Sequence, residues 1–300
     1  MSVTIYDIAR KTGVSAITVS RALRGDPRVK GETAARILRC ADKLAYIPNL
    51  SARALQSGRT RMLGMLMPSL DREIEQVPAG ALSRLAWKHG YSLIVTMYHS
   101  RCDLYEQILE MFAMMRVDGI FVIPPADEYV STMVKRLASR KMPLVFLDRE
   151  PYGFSGSVVV GNNYAGAAKL AAAGIAAGAV GVVNCYGSEN SAGRDRSAGS
   201  APYALERIPD DGKIMLLGDY QKLPEVMRKL KREHPRLRFN AGTFDYWKCE
   251  TDGFDEIFVM PQDFPAMADA AFRMMTGRIA SPDPVRAEKI VIPELEVRKL

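Results

Sequence analysis

A chain of 300 residues with 48% apolar side chains is long enough for two or three domains and apolar enough to bury an ordinary core. No run of about 18 apolar residues marks a membrane span, and no signal-peptide profile opens the chain. Four scattered cysteines and three scattered histidines give neither a disulfide framework nor metal-ligand spacing. The net charge of +7 is localised: residues 1–60 hold 11 Lys/Arg against 4 Asp/Glu, whereas 30 of each lie beyond them. Such an asymmetry reads as a polyanion-binding head on a neutral body, the plainer alternative being a basic, solvated helical face.

In the head, Thr4 is placed to cap a first helix, with Ile5, Ile8 and Ala9 at helical spacing. Asp7 sits in its first turn, where the helix dipole favours an anion. Gly13 supplies a left-handed stop, and Ser15 restarts a second helix that runs on through Leu23. Two short helices joined by a glycine turn make a helix-turn-helix. Val14, Val19 and Leu23 pack inward on this reading. Ala16, Ile17 and Arg21 then project outward, with Thr18 and Ser20 at the flanks. Arginine suits the O6/N7 edge of guanine, an aliphatic side chain touches a thymine methyl, and hydroxyls suit phosphate. Outside such a role, an exposed arginine is simply solvated. A third helix is expected from about Gly31 to Leu44, with Ala34, Ile37, Leu38 and Ala41 as its core stripe, before Pro48 ends the helical path.

From Arg61 the texture changes to short apolar strands alternating with helices. "RMLGMLMP" reads as a strand, "AGALSRLAWKHG" as a helix, "YSLIVTMYH" as a strand and "LYEQILEMFAMMR" as a helix. The strand "DGIFVIPP", a helix around Val130–Ala138 and the strand "PLVFLDR" follow. Such alternation implies parallel sheets whose ligands lie beyond the carboxyl ends of the strands, here at Ser69, Leu70, Tyr98, Pro124 and Asp148. Farther on, "KIMLLGDY", a helix through "LPEVMRKLKREHP" and "LRFNAGTFDYW" are legible. "PQDFPAMADAAFRMMTGRI" reads as an amphipathic helix with apolar residues at 264, 267, 268, 271, 272 and 275. There is no G-x-S-x-G, P-loop or dinucleotide fingerprint, so no enzyme, catalytic residue or cofactor is expected.

"TIYDIARKTGVSAITVSRALRG", the V-x-x-x-T spacing of Val29 and Thr33, and "LAYIPNLSARALQSGRT" together resemble the LacI/GalR (lactose/galactose repressor) family. The resemblance implies that Ala16, Ile17 and Arg21 read base edges, with Thr4, Tyr6, Ser15, Thr18 and Ser20 also at the DNA. It implies a hinge helix over Asn49–Ser57 that folds on operator DNA, with Leu55 wedged into a base step and Asn49, Ala52 and Arg53 at the minor groove. "MRVDGIFVIPP", "PLVFLDRE" and "VVVGNNYAGAAKLAA" resemble the family's sensor core, which looks like a periplasmic sugar-binding protein. Asp148 matches an effector-contacting position, and Arg196 in "RDRSAGSAPYAL" matches an effector-clamping arginine. Asp245 in "GTFDYW", with Trp247 as a stacking wall, is one match to a ligand aspartate; Asp255 in "DGFDE" is its rival. The family's C-terminal helix returns to the first lobe and supports a dimer.

The expected fold is thus an all-α helix-turn-helix head (1–48), a hinge helix or linker (49–60), and a two-lobed α/β periplasmic-binding-protein-like domain with parallel sheets (61–300). The first lobe takes about 61–160 plus part of the C-terminus, and the second, shortened, about 161–260. The expected function is a cytoplasmic, nucleoid-associated, homodimeric regulator of near-palindromic double-stranded operator DNA, with a small effector, a sugar or related metabolite, between its lobes. A DNA-binding regulator whose degenerate sensor lobe serves only as a dimerisation or partner scaffold is the alternative. Neither metal nor membrane enters either reading.

Overall fold

The computed structural model describes residues 3–47, 58–71, 73–126, 129–245, 251–281 and 288–300. Two compact units meet in sequence at Thr60 and Arg61.

The first unit holds α1 (Ile5–Thr12), α2 (Ala16–Leu23) and α3 (Gly31–Lys43). Gly13 closes α1 at φ 67, a backbone region that only glycine enters without strain, and its amide donates to the Ala9 carbonyl. Ser15 caps α2 by accepting from the Thr18 amide at 3.2 Å. Ile8, Val19, Ala22, Ile37 and Ala41 form the buried centre, with Val14, Leu23 and Ala34 packed around it. Leu38 departs from its expected place in the stripe, being 49% exposed. The stripe of α3 follows 34, 37 and 41, so the adjacent position 38 turns past the edge of the α1–α2 face.

The second unit begins with β1 (Met62–Met67), α4 (Glu73–Lys88), β2 (Ser92–Met97), α5 (Cys102–Met114), β3 (Gly119–Val122), α6 (Thr132–Ser139), β4 (Leu144–Leu147) and β5 (Ser157–Gly161). Helix α4 starts six residues before the expected Ala79 and contains Pro78, a residue that obscures a helix in sequence because it lacks an amide donor. With β10 (Lys289–Ile292) these strands form a six-stranded parallel sheet of order β10-β5-β4-β3-β1-β2. Both faces are covered: one core includes Leu63, Met65, Phe121 and Val145, the other Leu66, Phe112, Ile120 and Phe146. Burial on both faces explains why these strands read as unbroken apolar runs.

The chain then crosses into α7 (Asn163–Ala176), β6 (Val182–Asn184), α8 (Ser191–Ser200), β7 (Asp211–Leu217), α9 (Leu223–Glu233), β8 (Arg236–Phe244) and β9 (Glu256–Met260). The second sheet has order β11-β9-β8-β7-β6, parallel except for β11 (Arg298–Lys299), which runs antiparallel to β9. Strands β6 and β9 add to the two second-lobe strands recognised in the sequence. Between β8 and β9 none of the described residues is helical. Helix α10 (Phe264–Ala280) returns to the first sheet, burying Phe264, Met267, Ala268, Ala271, Phe272 and Met275, the six positions expected to face inward. Three connections therefore cross between the sheets: β5 to α7, β9 to α10, and β10 to β11.

Candidate nucleic-acid interface and interlobe cleft

In the head, the capping chemistry orders the residues expected at DNA. The Thr4 amide and hydroxyl both donate to the Asp7 carboxylate, at 3.0 and 2.7 Å. Those bonds hold the Asp7 carboxyl below its ordinary pKa. The Ser15 and Thr18 hydroxyls lie 2.9 Å apart across the first turn of α2. Tyr6 and Ile17 stand out from this frame at 67% and 65% exposure, large apolar surface with no core beneath it to join. Ala16, Thr18, Ser20 and Arg21 are half-buried on the same short helix. Arg28 grips Asp26 through two nitrogens, at 2.9 and 2.6 Å, pinning the connection from α2 to α3. Nothing in the sequence singled out that pair. Asn49, Ala52, Arg53 and Leu55 lie outside the described residues, as does Trp247.

In the second unit, two aspartates occupy equivalent places in the two sheets. Asp148 follows β4 and Asp245 follows β8, with φ of 69 and 70. The left-handed region is strained for a side-chain-bearing residue, and aspartate is among the few that tolerate it. The Asp148 amide donates to Val159 of β5 at 3.0 Å, and the Asp245 amide donates to Met260 of β9 at 2.7 Å. Each turn thereby delivers a carboxylate to the carboxyl edge of its sheet. Asp255, the rival, sits instead at the amino end of β9 and pairs with Arg238 at 2.7 Å and Lys213 at 3.5 Å.

Arg196 is carried on α8 and is 8% exposed. Its Nε donates to Asn163 Oδ1 at 2.8 Å, and its guanidinium lies 3.9 Å over Phe244 and 5.4 Å from the Tyr186 ring centre. Ring stacking plus one hydrogen bond fix the guanidinium plane. Its two terminal nitrogens have no hydrogen-bond partner among the described residues. Asp245 accepts from the Gln262 amide at 2.9 Å and from its side-chain nitrogen at 2.8 Å. Burial pushes the Asp245 carboxyl up to about 6, against the downward pull of Arg196 and with a further push from Asp148. Among the described residues the buried Tyr186 hydroxyl has no hydrogen-bond partner.

On the first-lobe side, a small open pocket of about 30 Å³ is lined by Pro68, Glu75, Pro78, Ile123, Leu147 and Asp148, with Arg149, Phe264 and Met267. Of the two residues expected after β1, Ser69 donates to the buried Glu75 at 2.7 Å, while Leu70 packs against the core. Arg149 Nε contacts Asp148 at 3.1 Å. The structure thus brings together Asp148, Arg196 and Asp245, and adds Asn163, Tyr186, Phe244, Gln262 and Glu75. A sequence could have offered only the place of Phe244 beside Asp245 and the Asn162-Asn163 pair; the others carried no signal. Among the described residues no group of His, Cys, Asp and Glu is arranged to hold a metal ion.

Residues 4–49 match the family described as bacterial regulatory proteins, lacI family. Catabolite control protein A of Priestia megaterium is 31% identical over 145 residues, covering 48% of this chain and 43% of that protein. The HTH-type transcriptional repressor PurR of Histophilus somni is 28% identical over 164 residues, covering 54% of this chain and 49% of that protein. The chain spans about half the length of the curated relatives it matches. Among solved structures, the lac repressor dimer bound to operator and the anti-inducer ONPF matches 100% of this chain and 98% of its own, with a TM-score of 0.78. At 18% identity that likeness is one of fold.

Proposed function

The chain belongs to the LacI/GalR family of bacterial regulators, and from that premise we propose that it is a sequence-specific, homodimeric, operator-binding transcriptional repressor controlled by a small effector in its interlobe cleft. The observation that carries the DNA reading is the exposure of Tyr6 and Ile17 on capped, tightly cored helices inside the segment that holds all the excess positive charge. Lys and Arg supply sequence-independent attraction to phosphate, and Ala16, Ile17 and Arg21 then read base edges. An aliphatic pair at the start of α2 favours thymine-methyl contact. A two-fold protein suits a near-palindromic site. Val77 and Trp87, 41% and 80% exposed on α4, offer apolar surface for the second copy.

Convergence of Arg196, Asp245 and Asp148 supports the effector reading, with a sugar or related metabolite as ligand. Such a ligand alters DNA affinity only if it binds two lobe arrangements unequally, which biases the segment joining lobe to head. The protein would work in the cytoplasm, at the nucleoid; among the described residues no helix is long and apolar enough to cross a membrane. DNase footprinting of the full chain on the DNA around its own gene tests the proposal. A discrete protected near-palindrome is expected, and uniform protection at every concentration would sink it.

A further inference from the structure

The charges beyond residue 60 balance overall but not locally. Residues 222–238 hold seven Lys/Arg against only two carboxylates, Glu225 and Glu233. Helix α9 lies in this stretch and seats Leu223, Val226, Met227 and Leu230 on the second sheet beside Leu216, Phe239 and Ile257. Its other side carries Arg228, Lys229, Lys231 and Arg232, all exposed, and the exposed Arg236 follows just past the helix. Arg228, Lys229, Arg232 and Arg236 make no ion pair among the described residues. Exposed cations elsewhere do find carboxylates, as Arg101 does with Asp103, Lys289 with Glu150 and Lys299 with Glu256. Arg228 stands one helical turn from both Lys231 and Arg232, a spacing at which like charges oppose helix formation. Glu225, one turn away on the other side, pairs with none of them.

We propose that this outer face of α9 docks an acidic, amphipathic segment of a partner protein. It holds a pocket of about 350 Å³, lined among the described residues by Glu225, Met227, Arg228, Lys231 and Arg232. Met227 is a core residue, 7% exposed, and its thioether gives the pocket an adaptable apolar floor. Lys231 Nζ donates to the Leu237 carbonyl at 2.6 Å, which fixes the ammonium and leaves it two further donors. The guanidinium forks of Arg228 and Arg232 suit carboxylates, which they bind through two parallel bonds. One large apolar side chain of the partner fills the pocket while flanking carboxylates meet the arginines, the way arginine clusters read acidic motifs. DNA fits this face less well. Its phosphates form an unbroken row that meets Glu225 and Glu233 as well as the cations, and it brings no apolar side chain to Met227.

Fluorescence anisotropy of the full chain tests this with three labelled probes. They are a peptide of glutamates and leucines at helical spacing, the same peptide with serine for leucine, and a duplex of random sequence. The Glu/Leu peptide is expected to bind saturably, and the pair Arg228→Glu with Arg232→Glu to weaken it by at least about tenfold. Arg21→Glu, in the head, should weaken the duplex and leave the peptide's affinity unchanged, whereas the α9 pair should leave the duplex unchanged. A charge-swapped Lys/Leu peptide should bind the α9 pair more tightly than the wild type, a gain that a misfolded lobe would not give. No saturable peptide binding to the wild type, or binding unmoved by the α9 pair, overturns the proposal. So does a Glu/Ser peptide that binds as tightly as the Glu/Leu one, since only diffuse charge attraction would remain. A duplex weakened by the α9 pair as much as by Arg21→Glu also overturns it and assigns the face to nucleic acid.

Discussion

Asp245 and Ile8 show what single side chains decide in the two units. The folded chain raises the Asp245 carboxyl from 3.8 to about 6, so the folded state holds this proton more tightly than the unfolded state does. The stability associated with that proton is present below about pH 4, is lost as pH rises through about 6, and stays level above. Two pKa units correspond to about 3 kcal/mol. Denaturant unfolding of wild type and Asp245→Asn should therefore diverge by up to about 3 kcal/mol between pH 4 and 7, to the benefit of the asparagine. Parallel pH profiles would contradict the burial argument. Ile8 is fully buried in a head with five buried apolar residues among those described. Ile8→Ala should cost about 2–5 kcal/mol, comparable to the whole stability of so small a unit. Operator binding should be lost while the thermal transition of the larger unit is unmoved.

At the scale of elements, Arg196 depends on how α8 lies against α7. A Cβ at Gly199 would come within 2.0 Å of the Tyr164 carbonyl oxygen, a backbone atom that cannot rotate away. Gly199→Ala should destabilise the larger unit by about 1–3 kcal/mol and weaken effector binding, with operator affinity in the absence of effector retained. Trp87 makes a different element-level prediction. Trp87→Glu on α4 should convert the dimer to monomer in light scattering and weaken operator binding; an unchanged mass would show that α4 is not the dimer face. The elements most visible in the sequence were those with either a periodic stripe, as in α10, or an unbroken apolar run, as in β1. β6 has three residues, too few for any pattern to emerge. β9 is apolar but follows a connection whose described residues carry no helix, so the strand-helix rhythm that located the others fails there. Asp245 could not be separated from Asp255 by sequence because both sit beside apolar runs; strand direction, which puts Asp245 at the carboxyl end of β8 and Asp255 at the amino end of β9, is the feature that favours proposing Asp245.

For the whole molecule, the charge map and the sheet edges assign different tasks to different parts. All the excess charge belongs to residues 1–60, so operator affinity should fall steeply with salt, by roughly a thousandfold or more between 50 and 200 mM if about six phosphates are contacted. Effector affinity for a neutral ligand should change little over the same range. The helix-turn-helix was legible almost residue by residue, because caps, glycine turn and core spacing all depend on local sequence. Of the residues now at the cleft, the sequence offered Asp148, Arg196 and, beside its rival Asp255, Asp245; Asn163, Tyr186, Gln262 and Glu75 are assembled by topology across more than 180 positions of chain.

Selection of bound sites from a random duplex pool by the full chain addresses the regulator reading most directly. The account predicts a two-fold symmetric consensus, with half-sites that lose their thymine preference on Ile17→Ser. Enrichment of no consensus, or of one unaffected by substitutions at Ile17 and Arg21, would contradict it.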